Sequence, residues 1–237
     1  MGKKNKKKEK IEVYKYEKIK ALGDIISCVS HANLRCNGGK IYFSDSTVER
    51  AKNIIREVQS VLRTTNEIVW TSKPHTIYDH IVQQNPDKYL ETKIRWRDRT
   101  PLRNITSPKI ISYQFKTSNN PNWNKERFFT DEKYLRDLVF KYLGKIEFIE
   151  LGLPMTIKED VEILSKSMMY FGIDSGISHL AHCVGTPTFL KYFQNQSGYG
   201  ARKDIHTYHP NKEYKTFDKI EELFPIIDDM ISQKAKK

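Results

Sequence analysis

Cysteine is scarce in this chain of 237 residues: Cys28, Cys36 and Cys183 are the three, and none stands in a C-x-x-C pair. An odd number at such spacing argues against a disulfide framework and against a structural zinc site, and a reducing cytoplasm is the expected home. Long apolar runs are missing too. Nothing approaches the ~18–20 residues that a bilayer-spanning helix needs. The basic N-terminus is not followed by the apolar stretch of a secretory signal. The chain has neither G-x-G-x-x-G nor G-x-x-x-x-G-K-[ST], which removes the dinucleotide fingerprint and the P-loop. No internal repeat appears.

Acidic residues are outnumbered, 29 against 41 Lys and Arg, for a net charge of +12. The excess is unevenly placed. Residues 3–10 carry six lysines and one glutamate, net +5, and Lys234, Lys236 and Lys237 add +3, which leaves +4 for the body. Such ends are either solvated tails that aid solubility or arms that search a polyanion, nucleic acid or an anionic membrane surface.

Hydrophobic content is 38%, enough for a core, and the length suits one large domain or two small α/β halves. Beyond a basic tail over 1–10, apolar patterning alternates between period two and period 3.6. Strands are expected over 11–16, 40–44 and 67–71. Between them, Ile25, Val29, Ala32 and Cys36 fall on one helical face, and Val48, Ala51, Ile55, Val58 and Leu62 on another. Ser46 and Glu49 have capping-box spacing, as do Thr156 and Glu159. A short helix is expected near 77–84. Turn chemistry over 100–108 marks a boundary, giving halves of 11–104 and 105–237. In the second half, strands are expected over 109–115 and 146–151. A helix over 131–143 should turn Leu135, Leu138, Val139 and Tyr142 inward. Residues 191–214 read as irregular. The last helix carries Ile220, Leu223, Phe224, Ile227 and Ile231, with Pro225 set to kink or restart it. Strands alternating with helices imply parallel sheets.

The chain is organised around 168–190, MMYFGIDSGISHLAHCVGTPTFL. An apolar strand breaks at Asp174-Ser175-Gly176 and feeds a helix through His179, Leu180, Ala181 and Val184. Gly185-Thr186-Pro187 stops that helix before the next strand. A small turn between strand and helix presents free backbone N–H groups, and with the helix dipole it favours an anion such as phosphate. Asp174 as a plain helix cap is the alternative.

The string D-S-G-x-x-H-L-A followed by G-T-P resembles the nucleotide-sugar signature of the heptosyltransferases, glycosyltransferase family nine. Leu22-Gly23-Asp24 is similar to the L-G-D that opens the first helix in that family. The resemblance implies a GT-B fold, two small Rossmann-like parallel-sheet halves facing across a cleft, and sugar transfer with inversion from a nucleoside-diphosphate sugar. It implies Asp24 as catalytic base, although a helix cap is the other reading of that residue. It implies Asp174, Ser175, Gly176 and His179 around the donor. Thr117 and Ser118 would assist, with Lys125 or Arg127 at the diphosphate; as residues alone, 117–127 also read as a polar surface loop. No D-x-D motif is present, so no metal and no cofactor is expected beyond the donor substrate.

Two departures stand out. The family is usually about half as long again, and its signature reads D-S-G-P-M-H where this chain has D-S-G-I-S-H. In the family the first half, shortened here, is the one that selects the acceptor. Period two over 93–99 puts Lys93, Arg95, Arg97 and Arg99 on one face and Trp96 on the other. That row suits a phosphate backbone or a charge-protected edge strand. With the lysine-rich ends it favours DNA as partner. The expected acceptor is then a hydroxymethylated base such as hydroxymethylcytosine in bacteriophage-type DNA, modified in the host cytoplasm. A lipopolysaccharide or other surface glycan is the alternative acceptor. A non-catalytic nucleotide-sugar or nucleic-acid binding module is the alternative of another class.

Overall fold

The structure is a computed structural model. It describes residues 13–14, 22–23, 25–26, 29, 33, 39–61, 66–72, 109–115, 132–152, 154–173, 175–191, 214–217 and 219–234. The expected helix near 77–84, the basic row over 93–99 and the boundary at 104–105 lie outside these.

Two sheets form, and every described strand pair in them is parallel. The first has the order β1 (Val13–Tyr14), β2 (Lys40–Ser44), β3 (Glu67–Thr71). The second has five strands. These are β4 (Ile110–Gln114), β5 (Glu147–Glu150), β6 (Ser167–Gly172), β7 (Thr188–Lys191) and β8 (Tyr214–Phe217), in the order β5-β4-β6-β7-β8. Parallel neighbours need crossover connections, and helices supply them where described. In the first sheet, α1 is helical at the described positions between 22 and 33, and α2 spans Glu49–Val61. In the second, α3 spans Glu132–Lys141, α4 Ile157–Lys166, α5 Gly176–Val184 and α6 Leu223–Lys234.

β6 shows why the second sheet is covered on both faces. All six of its residues are buried, as expected of a central parallel strand. Its side chains alternate between two cores. Met169 and Phe171 join Ile111, Phe189 and Phe217 beneath Leu138 and Tyr142 near α3 and Leu223 and Ile227 of α6. Tyr170 points into the other core, with Leu164 of α4 and Ile177, Leu180 and Ala181 of α5.

That second core continues into the N-terminal elements. Ile25, Ile26 and Val29 of α1, Ile41 and Phe43 of β2, and Ala51, Ile55 and Val58 of α2 belong to the same cluster. α4 and α5 are therefore sandwiched, with their own sheet on one side and the first sheet's helices on the other. A buried amide network fixes α1 within this arrangement. Asn33 Nδ2 donates to Gln59 Oε1 at 2.8 Å, and Asn66 Nδ2 donates to Asn33 Oδ1 at 2.9 Å. Three elements are pinned by groups that would be expensive to bury unpaired.

At Thr156 the capping box forms: the Glu159 amide donates to Thr156 Oγ1 at 3.2 Å, and the Thr156 amide donates to Glu159 Oε2 at 2.8 Å. At Ser46 it does not. The Ser46 hydroxyl pairs with Ser44, while the Glu49 carboxylate lies on Lys52 and Arg56. A turn closed by the Thr47 amide on the Ser44 carbonyl draws Ser46 away from the helix, which begins only at Glu49. Pro225 restarts the last helix. A 3₁₀ turn over Ile220–Glu222 gives way to α6 at Leu223, so Pro225 lies in the first turn, where no helical acceptor awaits its missing N–H.

Candidate functional site

The carboxyl ends of β4, β5 and β6 lie side by side, and the loop after β6 is the focus. The Ile173 amide is held by the Gln114 carbonyl at 3.3 Å. Ser175 then caps α5. Its hydroxyl donates to Gln114 Oε1 and accepts from the Ser178 amide at 3.4 Å. Ser178 answers reciprocally: its hydroxyl accepts from the Ser175 amide at 3.1 Å and donates to the Ser175 carbonyl at 2.7 Å. The His179 amide closes the first turn on the same carbonyl at 3.2 Å.

This detail refines the sequence reading of free N–H groups. The Ser175 amide is occupied by Ser178. Among the described residues none accepts from the amides of Gly176 and Ile177, the first two of α5. These two donors carry the positive end of the helix dipole. Ser175 and Gly176 are half-buried, as is His179.

The N-terminal half reaches this turn directly. Gly176 faces Leu22, and a Cβ built on it would lie 2.5 Å from Leu22 Cβ. Gly23 faces the His179 ring, and a Cβ built there would lie 2.7 Å from Cδ2 and 3.0 Å from Nε2. Each of the two motifs singled out in the sequence thus has a glycine against which a side chain of the other packs. Sequence spacing carries no signal of this contact, because 22–23 and 176–179 stand in different halves.

The G-T-P part of the signature does different work. Gly185 adopts φ +83°, the left-handed conformation that ends a helix. Both its amide and that of Thr186 return to the Ala181 carbonyl at 3.0 Å. The Thr186 hydroxyl donates to the Leu164 carbonyl at 2.7 Å, tying the end of α5 to α4. These residues sit at the far end of a nine-residue helix from Ser175, roughly 13 Å away at the usual rise. Their part is structural.

A buried carboxyl supports the site from behind. Asp160 in α4 is 2% exposed and accepts the Gly152 amide at 3.0 Å. Burial pushes its pKa from 3.8 to about 6, with Glu159 and Glu57 adding to the rise and the Gly152 hydrogen bond opposing it. Gly152, at φ +103°, abuts Gln114 in turn: a Cβ there would lie 2.8 Å from Gln114 Nε2. The sequence reading did not single out Gln114, Gly152 or Asp160. Among the described residues no three His, Cys, Asp or Glu gather as a metal site, and no helix is long and apolar enough to cross a membrane.

Of the residues expected at the site, the structure describes Ser175, Gly176 and His179 and brings them together with Leu22 and Gly23. Asp24, Thr117, Ser118, Lys125, Arg127 and Asp174 lie outside the described residues. So do Lys93, Arg95, Trp96, Arg97 and Arg99.

Among solved structures, the chain is similar to the iron-containing dodecameric glycosyltransferase TibC from enterotoxigenic E. coli H10407. The TM-score is 0.51 at 12% identity over 89% of this chain. The fold is of the GT-B kind. The chain spans 64% of TibC's length. It is also similar to the E. coli heptosyltransferase WaaC, solved with ADP-2-deoxy-2-fluoro heptose. There the TM-score is 0.44 at 10% identity, over 94% of this chain and 99% of that one. No family model matches the chain, and no curated protein does.

Proposed function

We propose that this protein transfers a sugar, with inversion, from a nucleoside-diphosphate sugar to an acceptor hydroxyl. The observation that carries the proposal is the contact of Leu22-Gly23 with Gly176 and His179 at the carboxyl end of β6. In open α/β sheets that edge is where ligands bind. On a GT-B fold it is also where an acceptor half and a donor half would have to meet.

The chemistry follows from the residues. The acceptor oxygen attacks the anomeric carbon, and the bond from that carbon to the diphosphate oxygen breaks with its electron pair. Negative charge then grows on the leaving nucleoside diphosphate. The amides of Gly176 and Ile177 are fixed dipoles aimed at such charge, and they need no reorganisation as it develops. Lys125 or Arg127 supplies the cation, with Thr117, Ser118, Asp174 and His179 completing the donor site. Asp24, the neighbour of Gly23, takes the acceptor's proton as general base. This scheme routes no step through a metal.

For the acceptor we propose a hydroxymethylated base in DNA, which would leave the base stack to meet the carboxylate. Support comes from charge: net +5 over 3–10, +3 over 234–237, and the row Lys93, Arg95, Arg97, Arg99 beside Trp96. The test is release of nucleoside diphosphate from a panel of nucleotide-sugars, with hydroxymethylated duplex DNA and lipopolysaccharide core glycan as separate acceptors. Release with DNA alone, and DNA affinity falling steeply with log salt, is the expected result. Release with glycan alone, or a flat salt response, overturns the DNA acceptor and leaves the transferase. No release with any pair overturns the transferase and leaves a binding module.

A further inference from the structure

We infer that Gln114 is a positioning residue for the donor turn, an inference that rests on the donor reading above. Gln114 closes β4, is 7% exposed, and stands between two loops. Its Oε1 accepts a hydrogen bond from the Ser175 hydroxyl. Its Nε2 end lies against Gly152, where there is no room for a Cβ. Gly152 is held by the buried Asp160 carboxylate through its amide. A brace therefore runs from α4 through the loop after β5 and the end of β4 to the loop after β6. It crosses the carboxyl ends of three adjacent parallel strands, and its last member is the cap of the donor helix.

The consequence lies in what Ser175 is then able to do. A serine hydroxyl has one proton. Given to Gln114, that proton is not offered to a phosphate, and the oxygen is left to accept from the Ser178 amide. Ser175 therefore acts as the cap that orients α5, and the anion is left to the main-chain donors of Gly176 and Ile177. Without the Gln114 acceptor the hydroxyl is free to turn, and the cap loses its fixed direction. Gln114 touches no reacting atom in this scheme; it acts through Ser175.

The experiment is calorimetric titration of the full chain with ADP, GDP, CDP and UDP, and with the matching nucleosides, alongside a thermal melt of each variant. Gln114→Met keeps the length and removes the acceptor. The expected result is about a tenfold loss of diphosphate affinity, the worth of one ordinary hydrogen bond, with nucleoside affinity unchanged. Ser175→Ala should lose a similar factor. The double variant should lose no more than the larger single loss, because both act on one interaction. Additive losses, or equal losses for diphosphate and nucleoside, overturn the inference. Should Gln114→Met fail to fold, Ser175→Ala carries the test, because it removes the donor of the same hydrogen bond, and an unaltered diphosphate affinity in that variant overturns the inference. If the native chain binds no nucleoside diphosphate, the donor reading falls and takes this one with it. If the native chain binds and Gln114→Met binds equally well, this inference alone falls.

Discussion

Gly23 and Gly176 stand at the one described place where the two halves touch through their motifs, and a methyl group distinguishes them. At Gly176 the obstacle is Leu22 Cβ, an atom fixed to the backbone. Gly176→Ala must push the two helices apart, and overpacking of this kind costs about 1–3 kcal/mol. At Gly23 the obstacle is the rim of the His179 ring, the far end of a side chain that can rotate. Gly23→Ala should melt close to the native temperature yet bind nucleoside diphosphate less well, because His179 is displaced. Equal melting losses for the two variants would show that the contact is not as described. Asp160 gives a second residue-scale test. Its folded pKa is about 6 against 3.8 for the ordinary group. The folded state therefore holds the proton more tightly than the unfolded chain, and stability should fall as pH rises from about 4 to about 6, then level off. Asp160→Asn keeps an acceptor for Gly152 and removes the charge that faces Glu57 and Glu159. Thermal melts from pH 4 to 7 should lose that slope and show a higher melting temperature at pH 7; an unchanged slope contradicts the assignment. Asp160 was invisible in the sequence because an aspartate in the first turn of a helix looks like ordinary dipole compensation.

At the scale of elements, two serine/threonine-to-glutamate spacings looked alike in the sequence and behave differently. Thr156 caps α4 in both directions, whereas Ser46 turns to Ser44. Thr156→Ala should therefore cost about 1 kcal/mol, and Ser46→Ala, on an exposed turn, should stay within about 0.5 kcal/mol. Paired denaturant melts check this, and equal losses would contradict it. The amphipathic stripe of α2 and the continuous apolar run of β6 were legible because burial imposes their periods. Ala51, Ile55 and Val58 are fully buried, and so are Met169, Tyr170 and Phe171. Phe171→Ala, in the core shared with Ile111, Met169, Phe189 and Phe217, should lose about 3–5 kcal/mol. β8 was not legible. Its four residues, Tyr-Lys-Thr-Phe, follow a polar stretch and form a strand only by pairing with β7. Tertiary partnership decides such a short segment, and local sequence does not.

For the whole molecule, strand–helix alternation foretold two groups of parallel strands, and the described strands form them. What the pattern did not convey is that the helices of the first sheet and α4 and α5 of the second share one apolar cluster. Periodicity assigns a buried face to a helix without naming what covers it. The same limit applied to the site. Leu22-Gly23 and the turn at 175–179 were each recognised by local motif, and only the fold shows that they touch. The proposed chemistry depends on that meeting, with amides of α5 on the leaving diphosphate and the Asp24 carboxylate on the acceptor. The most direct measurement is donor turnover and donor affinity for the native chain and Asp24→Asn side by side. The account predicts unchanged donor affinity and a turnover lower by about 100-fold or more in the variant, the usual worth of a general base. Native turnover in Asp24→Asn would contradict it.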